Sequence, residues 1–191
     1  MNGLQTYIGE YYLQGQREMA SGFLLKPGGD FQFFFSYGAL DRQGSGKWEV
    51  KGDSIVLYCG RRPVSDFALV SSKKTQAKDI TIIIDKANPA LVRYIYCSLE
   101  NGLEGTWSPM DGSGEIDLPQ QKIEKICLLL EFCAERFSTI TVNPEHNEFV
   151  FRIEPTIMEV YLENFSLKVS DAGLSGRHPL MEGNEFSYKK Q

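Results

Sequence analysis

Histidine is almost missing from this chain. Its 191 residues hold two, His146 and His178, and neither stands at metal-ligand spacing from cysteine, glutamate or the other histidine, so neither a zinc site nor a histidine-based triad is expected. Cysteine is scarce too. Cys59, Cys97, Cys127 and Cys133 form no C-x-x-C pair, and scattered cysteines of this kind read as small buried hydrophobes in a reducing compartment. No run approaches the roughly 18 apolar residues of a membrane-spanning helix; the longest apolar-rich stretches, 80–84 and 126–130, are strand-sized. Residues 1–13 carry no early positive charge, include Glu10 and lack a continuous apolar run, so they do not read as a secretory signal, and a cytoplasmic location is expected. Gly28-Gly29, Asn101-Gly102 and the stretch 111–114 lie between strand patterns instead of opening a helix, which leaves nucleotide binding without its loop. The same 111–115 stretch has too few spaced carboxylates for an EF-hand. No cofactor and no metal are expected.

What is present is ordinary soluble-domain material, 42% hydrophobic and 24% charged with 18 glycines and 8 prolines, long enough for one large or two small domains with real cores. The net charge of −5 is uneven: residues 1–78 hold 10 basic against 7 acidic side chains, residues 79–191 hold 10 against 18. An acidic half argues against nucleic acid, which needs a clustered basic face. The one basic cluster, Lys73, Lys74 and Lys78 with Arg61 and Arg62 nearby, lies around a polar stretch that reads as a solvated linker.

Alternation with a period of two dominates the first 70 residues, which predicts a β-meander. A strand over 19–26, the turn Pro27-Gly28-Gly29-Asp30 and a strand over 31–37 make the clearest hairpin. It puts Phe31, Phe33, Phe35 and Tyr37 on one face and Gln32, Phe34 and Ser36 on the other. A face so aromatic must be covered by another layer or line a cavity. Residues 47–51, the turn Gly52-Asp53 and 54–58 form a second hairpin, with a further short strand at 67–70. The polar stretch 71–78 then marks a domain boundary. Beyond it, strands are predicted at 80–84, 91–99, 103–107, 115–118, 125–130, 137–142 and 148–154, the density of a β-sandwich. Residues 156–191 are too few for a domain. Their short apolar-faced strands, 158–162, 165–169, 173–177 and 185–189, must join an existing sheet, and the first lobe has the unpaired edges to receive them.

Two stretches carry family likenesses. Gly46-Lys47-Trp48, then Gly52-Asp53, then Ile55-Val56-Leu57, resembles the pattern of lipocalin-like meanders and, with the preceding hairpin, covers about residues 5–70. The strand Ile80-Thr81-Ile82-Ile83-Ile84-Asp85, the turn 110–114 leading into Glu115-Ile116-Asp117-Leu118-Pro119, and Asn147-Glu148-Phe149-Val150-Phe151-Arg152 look like the prealbumin-like sandwich that serves carboxypeptidases as a regulatory module. Asn88-Pro89-Ala90 departs from that family's Gly-x-Pro turn. The likeness implies a structural or recognition module and transfers no active site. The expected architecture is therefore all-β: a lipocalin-like meander or partial barrel from residues 1–72 and 156–191, the C-terminal strands returning to the first lobe, and a prealbumin-like sandwich over 79–155.

No nucleophile with a general base emerges, so catalysis is not expected. The candidate binding residues are Tyr37, Asp41 and Arg42 at the end of the aromatic hairpin, Arg17 and Glu18 on a neighbouring strand or turn, and Trp48. Asp41 beside Arg42 suggests an ion pair at a sheet rim, able to hold a loop or a partner. The acidic series Glu145, Glu148, Glu154, Glu159 and Glu163 would suit a basic partner. The sequence thus points to a binding protein acting on a protein partner, of the immunity-protein or inhibitor kind, with no nucleic acid and no membrane. The alternative is a lipocalin-like carrier of a small apolar ligand.

Overall fold

The computed structural model describes residues 6–86, 88–99, 105–183 and 185–191. The turn expected at Asn101-Gly102 and the start of the strand expected over 103–107 lie outside them. The chain divides into two compact units, Met1–Arg62 with Met158–Gln191, and Pro63–Ile157.

The first unit opens with the meander β1 (Gly9–Leu13), β2 (Met19–Leu25), β3 (Asp30–Tyr37), β4 (Leu40–Lys51) and β5 (Ser54–Cys59). The β2–β3 turn is made by Gly28 and Gly29, both with φ above +80°, and is closed by the Lys26 amide donating to the Asp30 carbonyl at 2.8 Å. A side chain could not occupy position 46: a Cβ there would sit 2.0 Å from the Tyr58 carbonyl oxygen, so Gly46 is what lets β4 and β5 pair closely. The strand β4 is longer than the pattern suggested, since it starts at Leu40 directly after the Gly38-Ala39 turn.

The second unit holds β6 (Phe67–Lys73), β7 (Ile80–Ile84), a short helix α1 (Pro89–Val92), β8 (Ile95–Ser98), β9 (Ser108–Pro109), β10 (Glu115–Leu118), β11 (Lys125–Leu130), β12 (Ser138–Thr141) and β13 (Glu148–Ile153). They form two four-stranded sheets in the orders β10-β7-β13-β6 and β12-β11-β8-β9. All pairs are antiparallel except β7 with β13. Ile80, Ile82 and Ile84 alternate into the core with Phe149 and Phe151 of the parallel partner. Three expectations change here. The boundary falls at 62/63, not 72/79, because β6 pairs with β13 and not with the meander. The supposed linker 71–78 is partly strand and partly anchored, since wholly buried Asn147 accepts from the Thr75 amide (2.7 Å) and donates to the carbonyls of Ala77 (2.8 Å) and Asp79 (3.3 Å). The strand expected over 91–99 begins as α1, where the Asn88 side chain caps the Ala90 amide and Pro89 presets the first helical dihedral.

The chain then returns. Residues 158–162 make a single parallel bridge, Gln43 with Glu159, instead of a full strand, and β14 (Phe165–Ser170), β15 (Gly173–Gly176) and β16 (Phe186–Lys190) follow. These three complete an eight-stranded closed antiparallel barrel in the order β1-β16-β15-β14-β5-β4-β3-β2, so the sheet of the first unit closes on itself.

Candidate functional site

The register of β2 and β3 sets Met19 opposite Tyr37, and this brings the β1–β2 loop beside the β3–β4 turn. Arg17, Glu18, Tyr37 and Asp41 therefore gather at one rim of the barrel, all exposed, with Tyr37 at 48% of its full accessibility. Arg42 does not join them. Because both residues lie within β4, Asp41 (opposite Ser36) and Arg42 (opposite Phe35) stand on opposite faces, and the ion pair expected between them is replaced by two separate roles. Arg42 is 4% exposed and points inward, its Nε donating to the Met158 carbonyl at 3.3 Å and its Nη2 to that of Glu159 at 3.4 Å. Trp48 is a second correction: it is buried near the other end of the barrel, its indole N–H donating to the Lys26 carbonyl at 3.1 Å, and serves the first hairpin instead of the rim.

The barrel interior is filled by rings. Phe23 on β2 and Phe165 on β14 are four strands apart in a ring of eight, diametrically opposed, and their centroids are 6.2 Å apart. Phe23 also meets Phe33 at 5.2 Å and Tyr188 at 5.1 Å. An eight-stranded barrel is about wide enough for its own side chains to fill, and these rings do so across the full width at this level.

Among them lies a polar pair that the sequence did not reveal. Ser21 Oγ is 2.9 Å from His178 Nε2, although 157 residues separate them. The bonds fix the protons: the Leu180 amide donates to Nδ1 at 3.0 Å, so Nε2 carries the hydrogen and donates to Ser21, whose hydroxyl donates onward to the Phe34 carbonyl at 2.8 Å. A serine base must accept the hydroxyl proton, whereas this imidazole gives one. The pair in this arrangement closes a buried hydrogen-bond chain. Burial among Phe33, Phe35 and Phe186 pulls the His178 pKa down to about 4, which keeps the ring neutral.

On the outside, β1–β4 and residues 159–161 line an open cavity of about 490 Å³. Across the strands, the outward positions form two rows, Glu10–Leu24–Gln32–Ser45 and Tyr12–Gly22–Phe34–Gln43. Phe34 was the available signal: a large aromatic on the otherwise polar face of β3 has to be explained by something on that face. Among the described residues, no group of three His, Cys, Asp or Glu is placed to hold a metal ion, and no helix is long and apolar enough to cross a membrane.

No protein-family model, no curated protein and no solved structure matches this chain. Its function has to be argued from its own surfaces.

Proposed function

We propose that this is a non-catalytic binding protein that acts through a protein partner, as an immunity protein or inhibitor does, using the barrel rim formed by Arg17, Glu18, Tyr37 and Asp41. The observation that carries this reading is the contact of Phe23 with Phe165 across the barrel diameter: with the centre occupied by rings, recognition moves to the outside. There the rim offers an exposed tyrosine among charges of both signs, and tyrosine and arginine are the residues on which binding energy concentrates. The lipocalin likeness of the meander and the prealbumin likeness of the second unit agree with a binding scaffold. A cytoplasmic setting suits the four free thiols.

The competing reading, a carrier of a small apolar ligand, rests on the same lipocalin likeness and is separable by fluorescence. In a Trp107→Phe protein, Trp48 is the sole tryptophan, and it packs within the barrel core. Long-chain apolar ligands should give no saturable quenching; saturation at unit stoichiometry would establish the carrier. For the partner reading, products of adjacent genes are co-purified with the full chain, and a complex lost on Tyr37→Ala but kept on Phe34→Ala supports the rim as the contact.

A further inference from the structure

We propose that the outer face of β1–β4 is a carbohydrate-binding site, separate from the rim and independent of the partner reading. Gly22 creates it. Its position points outward between Tyr12 and Phe34, where an added Cβ would lie 2.3 Å from the Tyr11 carbonyl oxygen and 3.0 Å from the Phe34 ring. With no side chain there, Tyr12 and Phe34 lean together over the gap in an edge-to-face pair, centroids 5.6 Å apart, and give the cavity an aromatic floor. The Tyr12 hydroxyl donates to Glu10 Oε2 at 2.8 Å, which fixes that carboxylate at the edge of the floor. Gln32 and Ser45 are direct cross-strand neighbours, as are Phe34 and Gln43. All three polar side chains, Gln32, Gln43 and Ser45, are exposed and make no hydrogen bond within the protein among the described residues.

The donor and acceptor inventory selects the ligand. Two amides and a hydroxyl offer both donors and acceptors, and Glu10 and Glu159, each accepting from a tyrosine hydroxyl, offer acceptors only. A cation brings donors alone and leaves the amide N–H groups unmet; an anion is repelled by Glu10. A peptide backbone supplies both, but extended peptides are bound by adding to a free sheet edge, and β2 and β3 are paired on both sides. A sugar ring presents hydroxyls that donate and accept around its rim and a C–H face that lies on an aromatic floor. The volume, about 490 Å³, is within the ~300–1,000 Å³ of small-ligand sites.

The test is a titration of the ¹⁵N-labelled full chain with maltose, lactose and N,N′-diacetylchitobiose. At least one should produce saturable shifts confined to residues 10–12, 22–24, 32–34 and 43–45, including the side-chain amides of Gln32 and Gln43. The Gln32→Ala/Gln43→Ala protein should bind that sugar at least tenfold more weakly, Phe34→Ala likewise, and Tyr37→Ala at the rim with unchanged affinity. The Gln positions are exposed, so the Gln32→Ala/Gln43→Ala protein keeps the wild-type near-ultraviolet circular dichroism. No shift up to tens of millimolar of any of the three sugars, shifts located elsewhere, or the same residues responding instead to a lysine- and arginine-rich peptide would overturn the proposal. Failure here leaves the rim untouched, because the partner test reads Tyr37 and not Phe34.

Discussion

The two units solve the same problem, burying β-strands, with different chemistry. The barrel is antiparallel throughout, closed and ring-filled, and its 11 basic and 11 acidic side chains balance; the second unit has open sheets, a parallel pair and 9 basic against 14 acidic side chains, so the whole net charge of −5 belongs to it. The division into halves of opposite charge that the linear sequence suggests dissolves once the tail folds back. Glu145, Glu148 and Glu154 belong to the second unit, Glu159 and Glu163 to the barrel. Closure gives the barrel its pairing, with Arg42 and the Ser21–His178 chain as ties inside it; the open unit relies on Asp66–Arg136 and Asn147, all buried. A closed sheet depends on its last strand, and an open one on its buried polar ties.

The largest effect should come from removing that last strand group. Deleting residues 164–191 takes β14–β16 from the ring, leaves β1 and β5 as unpaired edges, uncovers the inward rings Phe23, Phe33 and Phe35, and should yield aggregated protein, while an excised 63–157 fragment gives a cooperative denaturant transition. A soluble, cooperatively folding 1–78 fragment would show that the barrel strands need no closure.

Second comes the polar brace of the open unit. Arg136 Nε donates to Asp66 Oδ2 at 2.6 Å, and its Nη2 donates to the carbonyls of Thr156 (3.3 Å) and Ile157, so one guanidinium ties the first residues of this unit to its last. Arg136→Met leaves the Asp66 carboxylate buried without its cation and should cost about 3–5 kcal/mol, read by urea denaturation. Restoration by Asp66→Leu in the same chain would show that the unpaired charge causes most of the loss. Equal losses in the single and double variants would assign it to the carbonyl bonds instead.

The third effect is confined to the barrel and to acid pH. Burial holds the folded His178 pKa near 4, against about 6.5 in the unfolded chain, so as pH falls the unfolded state takes the proton first. The stabilisation is complete above about 6.5 and is lost as pH drops toward 4, about 2 kcal/mol of it by pH 5. Protonation also places a hydrogen on Nδ1, where the Leu180 amide now donates. Stability from pH 7.5 to 5 should therefore fall more steeply in wild type than in His178→Gln; parallel curves would mean that the imidazole is as free to ionise folded as unfolded.

How far the sequence could be read follows from the range of each interaction. The hairpins around Gly28-Gly29 and Gly52-Asp53 rest on local turn chemistry, and the inward set Phe31, Phe33, Phe35 on period-two alternation, so both were legible. The return of the tail was legible as well, by elimination, since its apolar strands had no other edge to pair with. The boundary at 62/63 was not, because β6 is assigned by its pairing with β13, some 80 residues away, and because Asn147 makes a polar stretch structural by bonds to its backbone. Ser21–His178 had no spacing to find. Phe34 was visible but unexplained, and the row that gives it meaning needs Gly22 and Tyr12 from other strands.

The smallest expected effect tests the most tempting misreading, the dipeptide Asp41-Arg42. Adjacent opposite charges invite an ion pair, yet one residue of register separates the faces of a strand, and the turn that ends at Ala39 puts Asp41 outside and Arg42 inside. Asp41→Ala should shift stability by no more than about 0.5 kcal/mol, as at other exposed positions. Arg42→Met should cost about 1.5–3 kcal/mol, because the carbonyls of Met158 and Glu159 lose a charged donor in a buried setting. In the double-mutant cycle the two changes should add to within about 0.5 kcal/mol. A coupling well above that would mean that the side chains reach each other around the strand, and the contrast between a rim residue and a buried clasp would no longer hold.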